Sequence, residues 1–218
     1  MNLLKSAGGL VAPMILFIGL NVVEGKLPAN LYPFAYIAKI AIVLLALGLT
    51  AKAWTSELAA SRKALITGAI FGVVGIALWI GIEKIPYPHV GGRSSFNPFT
   101  AIQDLTFRYL WLATRFIGLA AVVPIVEELF WRGFLMRWVD NPDFEKVSPR
   151  SVTFKALVMS TAVFAMAHTL WLAAIVAGLA YAWLYIRTGK LWAAVIAHAV
   201  TNGVLGVWVL ATGNWQFW

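Results

Sequence analysis

The chain has 218 residues, 61% apolar and only 12% charged, with no cysteine and a formal net charge of +8. A soluble domain carries roughly 25% charged residues, so one helical membrane domain (1–218) is expected; the polar stretches 84–107 and 139–152 are too short to enclose a core. Disulfides, thiolate metal ligands and cysteine nucleophiles are excluded, and nucleic acid is not an expected partner, because the basic residues sit in loops where orientation and anionic headgroups account for them.

A spanning helix needs roughly 20 predominantly apolar residues. By that criterion the fold is an all-α, polytopic transmembrane helical bundle of about seven spans (six to eight): 8–23, 32–51, 64–83, 110–136, 153–170, 172–187 and 191–210. The first has a short basic lead and reads as a retained helix, since further spans follow. Residues 1–107 carry no specific signal, and 108–210 form the expected catalytic core. The fourth span is long, and its first part, with Arg108 and Arg115, is expected either in the span or at the interface. Ten loop cations (Lys5; Lys52, Arg62, Lys63; Arg137, Lys146, Arg150, Lys155; Arg187, Lys190) fall on one side against Lys26, Lys84 and Arg93 on the other. That imbalance predicts a cytoplasmic N-terminus. Tryptophans near span ends, such as Trp54, Trp171, Trp192, Trp208 and Trp218, read as interfacial anchors.

Within Phe116–Met136 the only ionisable residues are Glu127, Glu128 and Arg132. A charge at the bilayer centre costs at least ~2.5–3.5 kcal/mol, and its default reading is a functional site facing a cavity. Residues four apart on a helix share a face, and Glu before Arg is the favourable order. Glu128 and Arg132 are therefore expected to pair, while Glu127, about 100° around the helix, is left as the working carboxylate. The bland alternative is an architectural ion-pair network.

Later spans add His168, His198 and Asn202. Singly, a buried histidine or asparagine is often helix–helix glue. Together, a carboxylate and two histidines can activate water, either as general bases or through a bound metal. The pair His198 and Asn202, four apart on one face, could donate to a developing oxyanion. The set suits hydrolysis of an acyl bond. No HExxH or GxSxG occurs, Ser94 and Ser95 lack an obvious base, and the adjacent pair is the only carboxylate set read as intramembrane.

At these residues the chain resembles the CPBP family of intramembrane proteases, which includes the type II CAAX prenyl endopeptidases and Abi proteins. The family pattern EExxxR, FxxxH, HxxxN stands here as Glu127-Glu128 to Arg132, Phe164 to His168, and His198 to Asn202, with TGKLW at 188–192 ahead of the last motif. The resemblance covers roughly 110–205. It implies an endopeptidase acting on a membrane-associated protein or peptide, with Glu127 and His168 activating water and His198 and Asn202 stabilising the oxyanion. Glu128, Arg132 and Phe164 would support the site. The family's metal status is left open: a zinc ion on Glu127, His168 and His198, or a metal-free glutamate mechanism. Segment 86–99, PYPHVGGRSSFNPF, is similar to a bacterial subgroup found alongside exosortase systems, and a bacterial inner membrane is the expected location. His89, in that segment, is expected outside the site. The rival reading is a non-catalytic transporter, immunity factor or inactive scaffold. One tension remains: if every span starts at the same membrane face, His168 lies about 8–12 Å deeper than Glu127.

Overall fold

A computed structural model describes residues 3–58, 61–89 and 96–217. Arg93, Ser94 and Ser95, in the loop singled out above, and Trp218 lie outside the described residues. The chain forms α1 (Leu3–Glu24), α2 (Tyr32–Trp54), α3 (Arg62–Ile82), α4 (Leu105–Asp140), α5 (Phe154–Met166), α6 (Trp171–Thr188) and α7 (Leu191–Thr212), with no strand among the described residues. All but α5 are long and apolar enough to cross a membrane. The protein is an all-α polytopic membrane bundle.

The helix ends follow from local chemistry. Ser61, Asp104 and Thr153 accept from the backbone N–H groups of Ala64, Phe107 and Ala156, each three residues ahead, satisfying first-turn donors. The Thr153 cap is itself held by Asp140, whose carboxylate accepts from both its N–H and its hydroxyl. That clamp fixes the start of α5 against the end of α4. Gly189 (φ 66°) closes α6 and Gly213 (φ 69°) closes α7 in the left-handed conformation.

The expected fifth span, 153–170, is corrected here. Its helix is 13 residues, about 20 Å at 1.5 Å per residue. It stops early because the last turn tightens: the N–H of Ala167 reaches Phe164 O and that of His168 reaches Ala165 O. The His168 ring also donates Nδ1–H to Phe164 O at 2.7 Å, capping the end. Residues 167–170 then turn the chain into α6.

The N-terminal helices, read as carrying no signal, hold the bundle together. On α3, Gly68, Gly72 and Gly75 let α7 approach so closely that a Cβ at Gly72 would lie 2.6 Å from Val200 Cβ and 2.7 Å from Ala197 O. Small residues permit such backbone contact in membranes, and Thr201 Oγ1 completes it by donating to Gly72 O at 3.1 Å. The small residues expected to pack α6 and α7 thus have a third partner in α3. A second buried ion pair, Lys39 Nζ to Glu24 at 2.5 Å, joins α2 to α1, with Asn21 Oδ1 accepting from the same ammonium.

Gly72→Val should destabilise the chain by about 1–3 kcal/mol through overpacking. Gly48→Ala, where an added Cβ meets nothing within 4 Å, should leave thermal unfolding in detergent unchanged.

Candidate active site

The site is built on an irregular stretch of α4. The N–H of Val123 reaches Gly118 O and that of Met136 reaches Trp131 O, an i→i−5 ladder on each side of Glu127 and Glu128. Such π-turns are rare and cluster at functional sites. The first has a cause in Pro124, which cannot continue a regular ladder because it lacks an N–H and its ring crowds the carbonyl four residues back. Leu119 O is then stranded. Its α-helical donor, Val123 N–H, is spent on Gly118 O, and its five-back partner is Pro124 itself. Asn202 Nδ2 of α7 donates to Leu119 O at 3.1 Å, satisfying a carbonyl that would be costly to bury alone.

Glu128 sits at the centre of the charge arrangement. Its Oε1 accepts from Arg132 Nη1 at 2.8 Å and from His198 Nδ1 at 2.9 Å. Arg132 Nη2 donates onward to Gly178 O of α6 at 3.0 Å, and the guanidinium lies 4.6 Å from the Phe164 ring centroid. Tyr181 stacks on the His198 ring, centroids 5.0 Å apart. Four helices, α4 to α7, therefore meet around one carboxylate that is fully buried. The expected Glu128–Arg132 pairing is present, and it also takes in His198.

Glu127 points elsewhere. Its Oε2 is buried and accepts no hydrogen bond from the described residues, and it faces His168 Nε2 at 4.0 Å. Because His168 Nδ1 is committed as donor to Phe164 O, the neutral ring presents a bare Nε2 lone pair to Glu127. Two proton acceptors thus face each other at a separation that one water molecule can bridge.

Glu127, His168, His198 and Asn202 all line one cavity of about 290 Å³. The structure brings together the four residues expected to be catalytic. The anticipated depth gap for His168 is absent because α4 runs on to Asp140, which holds Thr153 at the start of α5, so Glu127 and His168 stand at similar distances from that junction. His89 lies away from the cavity, with Nε2 3.2 Å from Glu83. Arg115 lines the cavity too. Tyr181 and the Gly178 carbonyl escaped sequence reasoning. One is a ring packed across helices and the other a backbone acceptor, and neither leaves a spacing pattern. Among the described residues no group of three or more His, Asp or Glu side chains is placed to hold a metal ion. Glu127, His168 and His198 line one cavity, and His198, whose Nδ1–H is held by Glu128, keeps Nε2 as its other donor atom.

A family model described as type II CAAX prenyl endopeptidase Rce1-like matches residues 109–204, a little under half of the chain and the whole of this site. This region is similar to the Rce1-like family. Comparison with curated proteins and with solved structures finds no match. The six apolar helices make the chain an integral membrane protein, and the matched region is similar to CAAX-protease-like endopeptidases.

Arg132→Ala should cost about 3–5 kcal/mol, because it strands a buried carboxylate, and should be seen as a large drop in melting temperature in detergent. Glu127→Gln, whose Oε2 has no protein partner to lose, should melt close to the parent.

Proposed function

We propose that the protein hydrolyses a peptide bond of a membrane-associated substrate, using a water molecule held between Glu127 Oε2 and His168 Nε2. The observation that carries this reading is the facing pair of proton acceptors at 4.0 Å, on the wall of a cavity inside an otherwise apolar bundle. A water donating one proton to each acceptor turns its remaining lone pairs toward a substrate carbonyl, as general-base catalysis requires. As the oxygen–carbon bond forms, Glu127 takes the proton and later passes it to the departing amine nitrogen.

The carbonyl oxygen gains negative charge in that step and needs donors. Asn202 spends one N–H on Leu119 O and retains a second for the cavity. His198 donates Nδ1–H to Glu128, so it serves as an oxyanion donor when Nε2 is protonated as well. Glu128, itself balanced by Arg132, stabilises the resulting imidazolium. Phe164 supports the site twice, through its carbonyl on His168 and its ring on Arg132. No step passes through a metal ion. The family's printed description supports a prenylated C-terminal segment as one substrate class, and a bacterial inner membrane is the proposed location.

The test is product mapping by mass spectrometry on membranes containing the full chain. Glu127→Gln should lower cleavage by about 10²–10⁴-fold, the usual worth of a general base, with the protein still folded and inserted. Undiminished cleavage by that variant would overturn the mechanism. Dialysis against a zinc chelator should leave the rate unchanged, and a loss restored by added zinc would replace the metal-free reading.

A further inference from the structure

One wall of the catalytic cavity comes from beyond the last helix. Phe17 on α1, Trp79 on α3 and the lining residues of α4 to α7 provide most of it, and Thr169 and Leu170 add the tight turn after α5. Gln216 and Phe217 supply the remainder. They belong to one short helical turn, Trp215–Phe217, which follows α7 and lies outside the region matched by the family model.

Local structure brings that turn inward. Gly213 ends α7 in the left-handed conformation, and the chain changes direction there. Asn214 Nδ2 then donates to Thr212 Oγ1 at 2.8 Å, and the N–H groups of Trp215 and Phe217 donate to Gly213 O and Asn214 O. These bonds close the turn on itself. Its fastening to the bundle is aromatic. Phe217 meets Trp208 edge to face with centroids 5.5 Å apart, and Trp215 lies 5.7 Å from Phe99, in the short helix Pro98–Ala101 ahead of α4. Both rings pack on Ile76, Leu205 and Val209, a small buried cluster apart from the main core.

Such a fastening is local. Gln216 is exposed, and Trp215 and Phe217 are only half-buried. A Cβ built on Gly213 would meet nothing nearer than Trp215 Nε1 at 3.8 Å, so the pivot is not packed in. Segments held by few buried apolar contacts open locally at small cost, and an element-terminal residue is the kind of position that absorbs the change in φ and ψ. The walls carrying Glu127 and His198 are fixed instead by the buried hydrogen bonds around Glu128.

We infer that Trp215–Phe217 is a lid on the catalytic cavity, which swings about Gly213 to admit substrate and closes over it. As a gate for substrate it rests on the peptidase reading, while the opening itself is measured without cleavage.

The chain has no cysteine, so Val123→Cys places a single thiol on the cavity wall. Its rate of labelling by fluorescein maleimide, with the protein in nanodiscs, follows the open fraction when opening is fast. Phe217→Ala should speed that labelling about threefold to tenfold, the worth of one aromatic pair. Trimming a fixed wall would do the same, so a latch separates the two. Phe99→His together with Trp215→His sets two imidazoles where the present rings stand 5.7 Å apart, and imidazoles suit nickel. Nickel should slow labelling at least about fivefold in the latch variant, EDTA should restore it, and the Val123→Cys protein without the histidine pair should not respond. Unchanged labelling in Phe217→Ala overturns the inference whatever the latch does. Faster labelling in Phe217→Ala, with no slowing in a latch variant that takes up nickel, makes the turn a fixed wall and also overturns it. Failure of the peptidase reading shows separately, as undiminished cleavage by Glu127→Gln.

Discussion

Glu128 Oε1 accepts two charge-assisted hydrogen bonds in a place where an uncompensated carboxylate would be very costly. That one oxygen determines much of the surrounding arrangement. Arg132 must lie one turn along α4 to meet it, and Gly178 O must come within reach of the remaining guanidinium nitrogen. His198 must present Nδ1 to the same oxygen, which leaves Nε2 as its other functional atom. Because Arg132 also stacks on Phe164, the residue whose carbonyl orients His168, the ion pair is linked to both histidines. Removing either charge therefore disturbs more than the pair itself.

The backbone of α4 is the second constraint. Pro124 prevents a regular ladder, the widened turn strands Leu119 O, and Asn202 satisfies it from α7. One side-chain amide thereby has two duties, tying α7 to α4 and keeping an N–H for the cavity. The glycines of α3 act in concert, since without their close approach α7 could not sit against both neighbours.

Much of this was legible in the sequence, for reasons that differ from residue to residue. Hydropathy located six of the helices, because the cost of burying charge is a property of composition. The Glu128–Arg132 pair was legible because four-residue spacing is a property of a single helix. The acceptors of Arg132 and Asn202 were not, since both are backbone carbonyls on other helices, and a carbonyl leaves no trace in a residue pattern. Lys39 and Glu24 stand on separate helices, so no periodicity links them. Gly68, Gly72 and Gly75 have meaning only beside their partner helix. The depth of His168 was misjudged by ending the fourth span at Met136, since α4 runs on to Asp140 beside the start of α5.

The brevity of α5 also bears on the surrounding lipid. A rod of about 20 Å is well short of a hydrocarbon layer about 30 Å thick, and the turn at 167–170 follows it directly. Hydrophobic mismatch of that kind draws the bilayer inward around the short element. Mismatch of that sign favours a thinner bilayer where α5 faces lipid. Acyl-chain length in the host membrane then becomes a control on how easily a polar backbone can reach the cavity.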